Sequence, residues 1–162
     1  MIGGLGLSVV RGPFSVVRCS RARGSCDVVA RTNFENLQVY KLGEKLADKV
    51  WALVEGWEHF AKSTVGRQMV CAADSVGANI AEGSGRGSFQ DNRRFVRMAR
   101  GSLNETQHWL RRAFRRGLLS TEDVKRIRPI IDELAPKLNA YLKSIGSIPV
   151  TTRVDEVSAT DN

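Results

Sequence analysis

Residues 93–115 read RRFVRMARGSLNETQHWLRRAFR, and this stretch decides the fold. At about 100° of turn per residue, Arg93, Arg97, Arg100, Asn104, Gln107, His108, Arg111 and Arg115 fall on one side of a helix. Phe95, Ala99, Ser102, Leu103, Thr106, Leu110 and Ala113 fall roughly opposite. An apolar wall of that width is the packing face of a bundle helix. The polar stripe behind it is about 33 Å long at 1.5 Å rise per residue, a rigid basic surface suited to a polyanion. A solvated helix face has the same composition, so the stripe alone decides nothing about binding.

Working outward, three more helical patterns appear. Before the stripe, Val39, Leu42, Leu46, Val50, Leu53, Val54 and Trp57 recur at three- and four-residue spacing, with Asn33 as the expected N-cap. Lys41, Lys45 and Lys49 flank this face among Glu44 and Asp48, the pattern of a solvated, ion-paired side. The apolar period stops near Ala61, and Ser63 or Thr64 is expected to cap a second helix with core face Val65, Met69, Ala72, Ala73, Val76 and Ile80. Those small residues permit close approach of a neighbouring helix. Beside them Gln68, Ser75 and Asn79 form a polar strip for which Ser102 or Glu105 is the expected hydrogen-bond partner.

The second helix ends in Glu82-Gly83-Ser84-Gly85-Arg86-Gly87-Ser88. No strand precedes these glycines and no Gly-Lys-Ser/Thr follows, so they make a poor nucleotide-binding fingerprint. An interhelical turn is expected, with Ser88 capping the third helix and Arg86 beside N–H groups able to meet a phosphate oxygen. After the stripe, Gly117 is a stop signal and Ser120-Thr121-Glu122-Asp123 a start signal. The fourth apolar face is Val124, Ile127, Ile131, Leu134, Leu138, Tyr141, Leu142 and Ile145. Pro129 and Pro136 fall on the other side, predicting one kinked helix, with two shorter pieces as the alternative. No segment alternates like a strand. The expected fold is all-α: an up-down-up-down antiparallel four-helix bundle at residues 33–146 with disordered termini.

The chain has 162 residues, 42% of them hydrophobic, enough for one domain with its own core. Its 25 Lys and Arg against 17 Asp and Glu give +8, and the pI is near 9.9. Residues 1–32 hold five arginines and one aspartate, and residues 147–162 one arginine and three acids, so residues 33–146 keep +6 of the +8. The first segment is expected to be a flexible basic arm, though a transit peptide or an upstream start codon has the same look. The last is expected to be a disordered acidic tail. Three cysteines, Cys19, Cys26 and Cys71, make no C-x-x-C pair, which argues against a disulfide framework or zinc site and for a reducing, cytoplasmic setting. No apolar run reaches membrane-spanning length.

The residues for catalysis are scattered. Neither His59 nor His108 stands at metal-ligand spacing with a second ligand pair, and Glu105 with His108 makes only one of the two Glu-x-x-His pairs that a bundle di-iron site needs. No pattern pairs Glu82, Glu105 and Asp74 as acid and base. The expectation is a protein without catalytic residues, metal or cofactor.

Phe34-Glu35-Asn36-Leu37-Gln38-Val39-Tyr40, Gln68, residues 72–83 (AADSVGANIAEG), Gly85-Arg86, Arg94-Phe95 and residues 99–105 (ARGSLNE) together resemble the four-helix-bundle proteins encoded in bacterial 23S rRNA intervening sequences. The likeness spans about residues 34–146. It implies an all-α bundle, a ring-like homo-oligomer (a pentamer), and no enzyme activity. A similar accessory variability protein of diversity-generating retroelements works with a reverse transcriptase and binds nucleic acid through basic surfaces. This chain has no reverse transcriptase motif, so such an enzyme would be a separate partner. On the family motif, Gln68, Ser75, Asn79, Glu82, Gly83, Ser102 and Glu105 are implied to pack helices and shape loops.

The functional expectation is a non-catalytic oligomer that binds RNA or DNA phosphates through Arg86, Arg93, Arg97, Arg100, Arg111 and Arg115. No aromatic residue is expected on the stripe, which favours phosphate contacts over base contacts. The alternative is a structural or adaptor protein that binds another protein, with Trp51, off the apolar face of the first helix, as its contact or as a subunit contact.

Overall fold

The computed structural model describes residues 33–146; the expected arm (1–32) and tail (147–162) lie outside them. Among the described residues all regular structure is helical. A 3-10 turn, Asn33–Asn36, leads into α1, Gln38–Glu55. Asn33 therefore does not cap α1. Leu37 does the separating: it is extended (φ −66°, ψ 128°), its N–H donates to the Phe34 carbonyl at 2.9 Å, and its side chain packs on the core.

The chain turns at Gly56 and Trp57 and is helical again from His59, so Ser63 and Thr64 cap nothing. Their hydroxyls donate back to the Phe60 carbonyl at 3.2 and 2.6 Å from inside a π-helical segment, Lys62–Gly66, which continues into α2, Arg67–Gly85. The wider π turn has a packing reason. It lays Gly66 against α1 so closely that a Cβ there would stand 2.6 Å from Val54 Cγ1.

Ser88 caps α3, Phe89–Arg115, accepting from the Asp91 N–H at 3.0 Å. At the other end Gly117 takes φ +71°, the Gly117 N–H donates to Phe114 O at 3.0 Å, and the Leu118 N–H donates to Ala113 O at 3.0 Å. That pair of bonds is a Schellman motif, which satisfies the last carbonyls of α3. Ser120 and Asp123 then form a reciprocal capping box for α4, Thr121–Ser144. The helix runs uninterrupted through Pro129 and Pro136, both exposed. Each lacks the N–H that would bond one turn back, on the side where water reaches the orphaned carbonyl, and the inner face of Ile127, Ile130, Leu134 and Leu138 stays buried.

Each helix packs on its sequence neighbours, and α1 closes the circuit against α4. This is the adjacency of a four-helix bundle with short connections. Its centre is Leu46, Val50, Met69, Val76, Ile80, Val96, Leu103, Leu134 and Leu138, each at most 1% exposed and each contributing about 1.5–3 kcal/mol by burial. Ala72 and Ala73 of α2 are buried as expected, and the close approach falls at a glycine outside the expected face. Gly77 faces Gly43 of α1, where a Cβ on Gly43 would already touch the Gly77 backbone at 3.4 Å.

Candidate nucleic-acid interface

α3 is 27 residues long and buries Val96, Ala99, Leu103, Thr106 and Ala113, which turns its arginine stripe outward along the border with α4. The six arginines are placed differently. The Arg97 and Arg115 side chains are exposed and make no hydrogen bond or ion pair among the described residues. Arg100 donates to Asn139 Oδ1 on α4 at 3.4 Å, and Arg111 donates to Gln107 Oε1 at 3.5 Å. Both partners are neutral, so both guanidinium charges stay unneutralised.

Arg93 is half-buried and donates to the Ile145 carbonyl at 3.1 Å, capping the C-terminal end of α4. A cation at an unsatisfied helix-end carbonyl is a structural contact. Arg86 stands on the other side of α3. It forms an ion pair with Glu82 one turn back and lies 5.2 Å over the Phe95 ring, and Phe95 is on the flank away from the stripe. The structure thus groups Arg97, Arg100, Arg111 and Arg115, holds Arg93 at one end, and separates Arg86.

The basic residues of α4 provide the contrast. Lys137 meets Glu133 at 2.7 Å, Arg128 meets Asp132 at 3.4 Å, and Lys125 and Arg126 both reach Glu122, at 3.8 and 4.0 Å. Lys137 holds the Glu133 carboxyl below the usual carboxylate range. On α3 the carboxylates are Asp91, in the N-terminal cap, and Glu105, which accepts from Trp109 Nε1 at 3.4 Å. Seven arginines against these two carboxylates leave α3 a net +5.

On the far side of the bundle, Tyr40, Glu44, Asp48 and Asp74 line a groove of about 370 Å³ between α1 and α2. Burial, followed by the hydrogen bond to Glu44, pushes the Tyr40 hydroxyl up to about 12. Burial, followed by the Asp48 charge, raises the Asp74 carboxyl above its ordinary value. Acidic and basic surfaces are thereby segregated.

The motif residues act locally. Ser75 donates to the Cys71 carbonyl at 2.6 Å and Asn79 to the Ser75 carbonyl at 2.7 Å, so the polar strip bonds within α2 and does not reach Ser102 or Glu105. The backbone carbonyl one turn away is always within reach of a short polar side chain on a helix, and it wins. Ser102 uses its carbonyl to accept from the buried Thr106 hydroxyl at 2.8 Å, and Gln68 is exposed. Gly83 is buried under α3, where its absent side chain makes room for Asn92 and Phe95.

Two of the exposed aromatics line hollows in the surface. Trp51 is 60% exposed and edges an apolar groove of about 210 Å³ between α1 and α2, with Val54, Val70 and Cys71. Phe114 is 46% exposed and lines a hollow of about 420 Å³ with His108, Arg111, Arg112 and Arg115. The expectation of a stripe without aromatics fails at that end, because Phe114 sits where the apolar face of α3 runs past the core. Among the described residues, no cluster of three His, Cys, Asp or Glu is placed to hold a metal ion, and no helix is long and apolar enough to cross a membrane.

Residues 35–140 match the family described as 23S rRNA-intervening sequence protein. The chain belongs to that family. A 1.70 Å crystal structure of a protein of unknown function from the S23 ribosomal protein family of Bacteroides thetaiotaomicron VPI-5482 is similar to this family member, with a TM-score of 0.59 and 22% identity. The similarity covers 65% of this chain and 96% of that one. At that identity the likeness supports the bundle fold alone. Among curated proteins none matches the sequence.

Proposed function

We propose that this intervening-sequence protein is a non-catalytic, homo-oligomeric bundle that binds RNA or DNA through phosphate contacts from Arg97, Arg100, Arg111 and Arg115. The observation that carries this reading is the difference between two neighbouring helices: α4 sets Lys125, Arg126, Arg128 and Lys137 beside carboxylates one turn away, while Arg97 and Arg115 of α3 have no such partner. Guanidinium groups in two pairs on a rigid helix, Arg97 with Arg100 and Arg111 with Arg115, contact phosphates and position a polymer without reading its bases. A ring of subunits, such as the pentamer implied by resemblance, would multiply those contacts. A nucleic-acid enzyme encoded separately, a reverse transcriptase for example, is the partner such an accessory protein would serve.

The test is fluorescence-anisotropy binding of the full chain to labelled RNA and DNA, beside the double variant Arg97→Glu, Arg100→Glu. Reversal should weaken binding at least about tenfold, since two attractive contacts become repulsive, with helix content unchanged. Equal affinity of variant and parent would remove the stripe from the site. The second reading, a protein adaptor, is favoured by Trp51 alone: it predicts no nucleic-acid affinity, and a protein partner lost on Trp51→Ala.

A further inference from the structure

The C-terminal half of α3 and the N-terminal half of α4 leave a groove of about 290 Å³ between them. Its floor is apolar, formed by Leu110, Val124 and Ile131, all partly open to solvent. Its lips are polar: Gln107 and Arg111 on α3, Arg128 and Asp132 on α4. Arg111 also lines the hollow that holds Phe114 and Arg115, so the two depressions adjoin at that residue. The end of the basic stripe thus combines an apolar slot, an exposed aromatic ring, amide and carboxylate groups, and uncancelled arginines.

We propose that these adjoining depressions receive an unpaired nucleotide of a single-stranded nucleic acid, its base stacked against Phe114, while Arg111 and Arg115 hold the phosphates on either side. The inference rests on the phosphate-binding reading above and narrows its ligand to single strands at this end of α3. Charge complementarity selects the occupant. An apolar side chain from a protein would fill the floor but leave Arg111 and Arg115 unmatched, and a duplex would satisfy the arginines but keep its base faces stacked away from Phe114. An unpaired nucleotide satisfies both, because one face of the base is apolar and its neighbours carry phosphate. The lip groups supply a donor and acceptors for base edges: the Gln107 amide and the Asp132 carboxylate, the latter engaged by Arg128 at 3.4 Å. The slot is at the small end for a ligand pocket, a size that suits one base.

The experiment compares the full chain binding a fluorescein-labelled oligouridylate with its binding of an abasic oligomer of the same length, backbone and charge. The base-bearing strand should bind about tenfold more tightly, the scale of one stacked base. Phe114→Leu, which keeps an apolar side chain and removes the ring, should abolish that preference and leave affinity for the abasic strand unchanged. Phe114→Trp should retain the preference. Because Phe114 is half exposed, these variants test the ring without emptying the core. Equal affinity for both strands, with binding still lost on arginine reversal, overturns the groove proposal and leaves the phosphate surface standing. Absence of binding to either strand overturns both. Base preference that survives Phe114→Leu overturns the proposal, and a change in sedimentation of that variant would then assign the groove to a second copy of the chain.

Discussion

Gly83 shows how one residue can decide a helix contact. A methyl group there meets Asn92 Oδ1 and the Phe95 Cβ, each at 2.9 Å, and the Asn92 carbonyl at 3.3 Å. Alanine at a helical position gains about 1 kcal/mol over glycine, whereas overpacking of this kind costs about 1–3 kcal/mol. The second effect wins, because a Cβ and a backbone carbonyl cannot swing aside. Gly83→Ala should therefore lower stability by up to about 2 kcal/mol in urea unfolding, against the usual sign for glycine in a helix. An unchanged or raised midpoint would mean that α3 slides away freely. The same spot holds Asn92 Oδ1, a buried oxygen without a hydrogen-bond partner among the described residues, so the site has no slack to absorb the methyl group.

At the scale of elements, the start of α4 couples stability to acid. The Ser120 hydroxyl, then the Ser120 N–H, holds the Asp123 carboxyl below its ordinary value. A carboxyl with a folded value below its unfolded value of about 4 stabilises above that range, and the contribution is lost as pH falls through the folded value. Ser120→Ala should cost about 1 kcal/mol near neutrality and less in acid. The melting temperature of Asp123→Asn should fall less than the parent's between about pH 7 and about pH 3; parallel curves would remove the box as a source of acid sensitivity. This box was legible in Ser120-Thr121-Glu122-Asp123, as were the four apolar faces apart from Val96 and Ile130, which are buried where Phe95 and Ile131 were expected, because caps and periodicity are local. The other expected caps failed for non-local reasons. Asn33 lost its role to Leu37, whose side chain is drawn to the core, and Ser63 and Thr64 lie within a helix whose widened turn answers to Val54 on α1. The candidate site was legible as a stripe but not as a set of partners. That Arg93 would meet the Ile145 carbonyl, 52 residues away, and that Phe114 would lie open beside Arg115 depend on where α4 begins and ends against α3.

At the scale of the molecule, the uneven charge makes a quantitative demand. Most of the +8 belongs to residues 33–146, yet α4 cancels much of its own charge and the groove of Glu44, Asp48 and Asp74 is acidic, so the excess is concentrated on α3. Single-stranded nucleic acid releases about 0.7 counterion for each phosphate neutralised. Four arginines therefore give a slope of about −3 for log affinity against log salt per chain, or a loss of about fiftyfold for a fourfold rise in salt. The Arg97→Glu, Arg100→Glu variant should flatten that slope by at least about 1.4. A parent slope near zero would show that affinity does not come from phosphates, and would return the arginines to the role of a solvated face. A slope several times steeper than about −3 would mean that one strand spans several chains. The salt titration thus counts both the arginines engaged and the subunits they come from, since chains in a ring can share a strand only if their α3 faces lie along one path.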